Sequence, residues 1–272
     1  GLKTNMLRDI MIDQDHVWIA TDGEGVLRLN LKTNTFDNKE NCKEELFDPL
    51  NPQWTKHIMK DSKKRIWISS SEGIMFYHND KCTKLSIDNI SSRFIQNEIT
   101  MTFEDSFGEI YVLTSHNGLL KYNDNSKVLQ SLDSLFSLPS NILSICEDHN
   151  HNLWVTSPQE IIKLNRLNNS TLRFNMRNDL NGRTFTPKAM VCTKDSIFVG
   201  SNNGMFIFSP DNMEVKYSTP QIYLEQLFVN GELQKATDGS LLQKTLAFTD
   251  TLVLEHNQND IIISFFCFQL EN

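Results

Sequence analysis

Residues 17–30 read VWIATDGEGVLRLN, and the chain returns to close versions of this stretch at 66–79 (IWISSSEGIMFYHN), 110–123 (IYVLTSHNGLLKYN), 153–165 (LWVTSPQEIIKLN) and 197–210 (IFVGSNNGMFIFSP). Taking Trp18, Trp67, Tyr111, Trp154 and Phe198 as equivalent, the spacings are 49, 44, 43 and 44 residues. A period in the low-to-mid forties is that of propeller blades or of helical pairs. The copies are rich in Ile, Val, Phe, Trp and Thr and carry no helix caps, so strands are predicted and a helical solenoid is not.

Each copy follows a further apolar run: LRDIMIDQD, HIMKD, ITMTFED, ILSICED and KAMVCTKD. The unit is therefore strand, Asp-containing turn, aromatic strand, glycine turn, strand. Asp13, Asp61, Asp105 and Asp148 supply a short acceptor that can bond the local backbone of a tight connection. Gly25, Gly73, Gly118 and Gly204 supply positive φ in the second hairpin. Glu160 stands where the fourth copy should have glycine, which predicts a differently shaped hairpin there. Runs such as VWIA and IFVG are apolar on both faces, as sheets stacked between two neighbouring sheets require. The repeated aromatics are expected to fill the widening gap between blades.

The period stops after Tyr217. The stretch 218–220 (STP) reads as a boundary, followed by QIYLEQLFVNGELQ, in which Asn230-Gly231 is a hairpin turn. DIIISFFCF then alternates as a strand. Residues 1–217 are expected to be β-propeller repeats, and 218–272 the first strands of an Ig-like β-sandwich that is cut off. The fold class is all-β, with about five blades visible.

Composition narrows the function. With 26 basic and 34 acidic residues the net charge is −8, and there is no basic block, which argues against a nucleic-acid surface. No run of about 18 apolar residues occurs, and Gly1 opens on polar sequence. The five cysteines have no metal spacing. Cys146 and Cys192, inside apolar runs, are expected to be buried free thiols.

Catalytic patterns are weak. His149 and His151 lack a third ligand at metal spacing and fall in a turn. Glu44-Glu45, Glu104-Asp105 and Glu147-Asp148 are adjacent pairs whose side chains point to opposite faces of a strand, unlike carboxylates that face each other across a glycosidic bond. No GxSxG, HExxH or phosphate loop is present, and no cofactor or metal is implied. The sequons at Asn89, Asn168 and Asn169 matter only in a eukaryotic secretory setting.

The repeated form D-x-x-x-x-aromatic-strand-T/S-x-x-G resembles the two-component regulator propeller repeat. PQIYLEQLFVNGELQ followed by LVLEHNQNDIIISFFCF resembles the start of the Y_Y_Y domain that follows such propellers. Tyr111 and Phe198 depart from the usual tryptophan, and Thr193 from the turn Asp. The resemblance implies the periplasmic sensor region of a hybrid two-component regulator, of a type abundant in gut Bacteroides and tied to polysaccharide use. In that family two seven-bladed propellers precede the sandwich, a membrane helix and a histidine kinase, and the region dimerises. Here the blades would belong to a seven-bladed ring, and membrane contact would come through a C-terminal segment outside this sequence.

Propeller geometry then places a binding site. The innermost strand of a blade lines the central channel, and its entry shares a rim with the second hairpin. Counting seven residues back from each turn Asp, and from Thr193, gives Met6, Trp54, Glu98, Asn141 and Thr186. The hairpin tips add Asp22, Glu24, Glu72, His116, Asn117, Gln159, Asn202 and Asn203. A polar rim with Trp54 for stacking suits an oligosaccharide. Loop tips are polar in any soluble protein, so no one of these residues is decisive. The acidic residues make a strongly sulfated polyanion a less natural ligand. The favoured function is extracytoplasmic ligand sensing. The alternatives are a propeller glycoside hydrolase or lyase, using Glu98 with Asp22 or Glu24, and a protein-interaction scaffold.

Overall fold

A computed structural model describes residues 3–48, 51–87, 98–175, 184–213, 221–237 and 240–268. The chain divides into two compact units, Gly1–Glu214 and Val215–Asn272. The boundary read at 218–220 and the sequon at Asn89 lie outside the described residues.

The first unit is a run of antiparallel sheets, each a meander in chain order. The first blade comprises β1 (Leu7–Asp13), β2 (His16–Thr21), β3 (Val26–Asn30) and β4 (Thr35–Asp37), and the second β5 (Thr55–Lys60), β6 (Ile66–Ser70), β7 (Gly73–His78) and β8 (Lys81–Lys84). The short β9 (Ser86–Ile87) pairs in parallel with the outer edge of the third blade, β10 (Ile99–Glu104), β11 (Ile110–Thr114), β12 (Leu119–Asn123) and β13 (Val128–Ser131). The fourth is β14 (Ser144–Glu147), β15 (Leu153–Thr156), β16 (Glu160–Asn165) and β17 (Ser170–Asn175). The fifth shows three strands among the described residues, β18 (Phe185–Cys192), β19 (Ile197–Ser201) and β20 (Gly204–Phe208).

Four of the five predicted aromatics sit in the inter-blade cores, whereas Phe198 is half-buried and belongs to none of them. Trp18 packs with Ile58, Ile66, Ile68 and Met75 of blade two, and Trp67 with Ile99, Ile110, Val112 and Tyr122 of blade three. Tyr111 packs with Ile145, Leu153, Val155 and Ile162 of blade four, and Trp154 with Phe185, Ile197 and Val199 of blade five. Each such side chain buried away from water contributes about 1.5–3 kcal/mol. The end faces differ. On the far face of blade one Ile12 is 73% exposed, and on the far face of blade five Ile207 is 57% exposed. Ile19 and Leu27 on that face of blade one are nevertheless buried, whereas Val191 and Met205 share the exposure of Ile207 on blade five.

The turn aspartates do more than the sequence suggested. Their first oxygens accept backbone N–H groups as expected: Arg65 N to Asp61 at 2.8 Å, Glu109 N to Asp105 at 2.8 Å and Asn152 N to Asp148 at 2.9 Å. Their second oxygens hold the buried aromatic: Trp67 Nε1 donates to Asp61 at 2.8 Å and Trp154 Nε1 to Asp148 at 2.7 Å. In blade three, where Tyr111 has no indole N–H, Arg166 from blade four bonds both Asp105 and the Tyr111 hydroxyl. Glu104 and Glu147 accept the backbone N–H of Ser62 and Ser106 from the preceding blade, at 2.8 and 2.7 Å. These carboxylates are ties between blades.

The second hairpins come in two sizes. Thr21 N bonds Gly25 O and Thr114 N bonds Gly118 O, across three intervening residues, whereas Ser70 pairs directly with Gly73 and Ser201 with Gly204. In blade four Ser157 N bonds Glu160 O, and Glu160 is not among the residues at positive φ. Gly118 is favoured by its φ of +61°, and a Cβ there would also press on the Asp133 carboxylate. Gly118→Ala is expected to cost about 1–3 kcal/mol, read as a lower urea midpoint with unchanged slope.

The expectation for two cysteines is corrected. Cys146 on β14 and Cys192 on β18 form a disulfide joining the inner strands of blades four and five, with Cα atoms 5.8 Å apart. Both end the first strand of successive blades, and stacking brings those ends together. Cys42 and Cys82 are free, and the Cys267 side chain lies outside the described residues.

The second unit is a three-stranded antiparallel sheet, β21 (Gln221–Val229) flanked by β22 (Glu232–Gln234) and β23 (Ile261–Phe268). Asn230 and Gly231, at φ +50° and +80°, make the tight hairpin their sequence predicts.

Candidate ligand-binding site

The inner strands β1, β5, β10, β14 and β18 bond one another through side chains. Ile58 N donates to Asp9 Oδ2 at 2.9 Å, Thr102 N to His57 Nδ1 at 3.3 Å and Ala189 N to Ser144 Oγ at 3.1 Å. In blades one, two, three and five the entry of the inner strand and the second hairpin are hydrogen-bonded at one rim. Asp22 N donates to Met6 O, Ser71 N to Trp54 O, Ser115 N to Glu98 O and Asn202 N to Thr184 O, all at 3.0–3.1 Å. The blade-five entry is thus at Thr184, two residues before the nominated Thr186, which lies within β18 next to an irregularity in register between Phe185 and Met190.

At this rim a cavity of about 620 Å³ takes residues from all five inner strands or their entries. Of the nominated residues it brings together Glu98, Asn141 and His116. Asp22 lies beside it, held by Arg8, whose Nε donates to Asp22 Oδ2 at 2.7 Å. That guanidinium keeps the Asp22 carboxyl below the usual carboxylate range. Trp54 is half exposed on the rim, bridged through its backbone to Asp22. Asn117, Thr186, Asn202 and Asn203 do not line the cavity. Asn202 Oδ1 accepts Thr184 N at 3.1 Å and the backbone N–H of Asn203 turns to Ser201 Oγ.

Three basic residues of the lining had not been singled out: Arg8, Lys56 and Lys188. Each stands two residues after a position counted from the sequence (Met6, Trp54, Thr186) and falls in the register irregularity of its inner strand. Lys56 Nζ lies 3.4 Å from Glu98 and 3.9 Å from Asp22. Lys188 has φ +59°, and its Nζ crosses the channel to donate to Lys56 O at 2.7 Å and Arg8 O at 3.3 Å.

Beneath the cavity His57 is largely buried, with Nε2 3.6 Å from Asp9 Oδ2. Burial pushes its pKa down to about 4, against the opposing pull of Asp9. The ring is therefore neutral at pH 7, Nδ1 accepting from Thr102. Between pH 6.5 and about 4 the unfolded chain binds a proton that the native ring refuses, so stability falls with pH across that window. His57→Gln is expected to flatten this part of the stability profile, measured by urea unfolding at several pH values.

On the outer surface, Ser106 Oγ, His151 Nδ1 and Glu147 Oε1 lie within 2.9–3.2 Å of one another. One ring nitrogen faces both partners, so the histidine cannot relay a proton between the acid and the hydroxyl as a catalytic triad requires.

Stacked antiparallel blades whose inner strands meet at one rim define a β-propeller fold. Residues 137–159, in blade four, match the two component regulator propeller family. The chain is 25% identical over 256 residues to "Histidine kinase P4" of Formosa agariphila, covering 92% of this chain and 19% of that protein. It is similar in fold to the extracellular domain of the putative hybrid two component system BT3049 from B. thetaiotaomicron. That match has a TM-score of 0.65 at 19% identity and covers 96% of this chain and 35% of the other. Virginiamycin B lyase from Staphylococcus aureus shares the propeller fold with a TM-score of 0.52 at 12% identity, over 98% of this chain and 85% of that one. The chain spans about a fifth of the curated relative and about a third of the sensor structure.

Proposed function

We propose that the chain is part of the extracytoplasmic sensor region of a hybrid two-component histidine kinase system, and that its channel mouth binds an oligosaccharide. The observation that carries the site is the cavity at the shared rim, where Glu98 and His116 of blade three meet Asn141 of blade four. The open far face of blade five fits a further blade of a larger ring. The Cys146–Cys192 disulfide suits an oxidising compartment such as the periplasm. Signal transfer requires that ligand favour one arrangement of propeller and C-terminal sheet, or of two protomers in a homodimer, over another.

A hydrolase or lyase reading gains no support from Glu98 and Asp22. Lys56 stands between them, and Asp22 is held as a firm carboxylate, whereas a general acid needs its pKa raised.

The test is a thermal-shift screen of the complete sensor region against an oligosaccharide panel, with product analysis of each well. A ligand at about a hundred times its Kd adds roughly 2.7 kcal/mol, a shift of several degrees. A shift without new products is the expected result. Cleavage would convert the reading to an enzyme, and silence across the panel would move it to a protein partner.

A further inference from the structure

The acidic residues of the rim made a strongly sulfated polyanion a less natural ligand, but the cavity carries the opposite charge. Arg8, Lys56 and Lys188 line it against one carboxylate, Glu98. Asp22, counted with the rim acids, is not in the lining and is consumed by Arg8.

Lys188 is the least satisfied of the three. Its ammonium has three donors, and the two described acceptors are neutral carbonyls, Arg8 O and Lys56 O. No carboxylate lies within ion-pair distance of it among the described residues. Burial and the neighbouring cations outweigh Asp9 and lower its pKa, as for a cation short of counter-charge. The backbone supports the same reading. Lys188 occupies a left-handed conformation that a lysine rarely adopts, held by Lys188 N donating to Leu143 O at 2.9 Å. A strained residue aimed into a cavity is a mark of a ligand-contacting position.

We propose that the oligosaccharide carries an anionic group, a uronate carboxylate or a sulfate ester, seated on the Lys188 ammonium. Arg8, which spends two of its five donors on Asp22, supplies further N–H groups, and Lys56 adds positive charge. Asn141 and His116 face the sugar hydroxyls. This inference rests on the oligosaccharide reading of the same mouth and adds the charge of the ligand to it.

The test is equilibrium binding to the complete sensor region of oligouronates and sulfated oligosaccharides, each beside its carboxyl-reduced or desulfated counterpart. The same titrations are run with Lys188→Asn, since asparagine tolerates the left-handed backbone, and with Lys188→Arg. An acidic sugar should bind at least about tenfold more tightly than its neutral counterpart. Lys188→Asn should abolish that preference and Lys188→Arg retain most of it. Which arm shows the preference identifies carboxylate or sulfate. Equal binding of both counterparts, or a preference that survives Lys188→Asn, overturns the inference and leaves the oligosaccharide reading in place. Binding by no oligosaccharide, acidic or neutral, removes that reading and this inference together. The comparison of ligands on the wild-type protein decides the matter even if a variant fails to fold.

Discussion

Replacing Asp61 with alanine is expected to lower the unfolding free energy by about 3–5 kcal/mol. The Asp61 carboxylate is wholly inaccessible to solvent and Arg65 is 7% exposed at the side chain. The carboxylate accepts from Arg65 N at 2.8 Å, Arg65 Nε at 2.5 Å and Trp67 Nε1 at 2.8 Å. Removing it strands an indole N–H and deprives a buried guanidinium of one of its two carboxylate partners, the other being Asp124 at 3.0 Å. The same repeat position in blade one provides the contrast. Asp13 is bound by Lys60 at 2.7 Å, both are partly exposed, and the Trp18 indole nitrogen has no partner. Asp13→Ala should therefore cost only about 0.2–1 kcal/mol, typical of an exposed pair. Urea unfolding of both variants checks the difference; equal losses would show that the indole bond and the buried arginine do not set the energetics of this turn.

Removing the Cys146–Cys192 disulfide is expected to cost about 4 kcal/mol, the loop-closure value for a sequence separation of 46 residues. The bond staples blade four to blade five, and blade five has an uncovered far face, so the loss should be felt first there. In the Cys146→Ala, Cys192→Ala double variant, hydrogen exchange should rise through β18–β20 before the rest of the propeller. Reductant should lower the melting temperature of the wild-type protein and leave the double variant unchanged. A wild-type melt indifferent to reductant would contradict the pairing.

The blades were legible because a repeat exposes its own period and because each strand, apolar on both faces, has one physical explanation. Trp18, Trp67, Tyr111 and Trp154 could be assigned to inter-blade cores from spacing alone. The disulfide was not legible, because it joins equivalent ends of two neighbouring units and depends on how closely the inner strands stack. The second role of Asp61 and Asp148 was hidden in the same way, since the indole they bind lies across a turn and its reach depends on packing. At the channel mouth, counting to the first inward residue reached Glu98 and Asn141, which line the cavity, and Trp54, which does not. Continuing by two along each inner strand would have found Arg8, Lys56 and Lys188 and reversed the expected charge. In blade five the count from Thr193 gave Thr186, whereas the rim bond falls at Thr184, because an irregular register is not visible in residue spacing.

The central claim is that ligand binds at the rim where the five inner strands converge. Amide hydrogen exchange of the complete sensor region, with and without a saturating oligosaccharide, tests it most directly. Protection should concentrate at 98–101, 115–117, 141–144 and 187–189, segments drawn from three blades that meet only at the channel mouth. Protection confined to outer strands or to the C-terminal sheet, with these segments unchanged, would contradict the account.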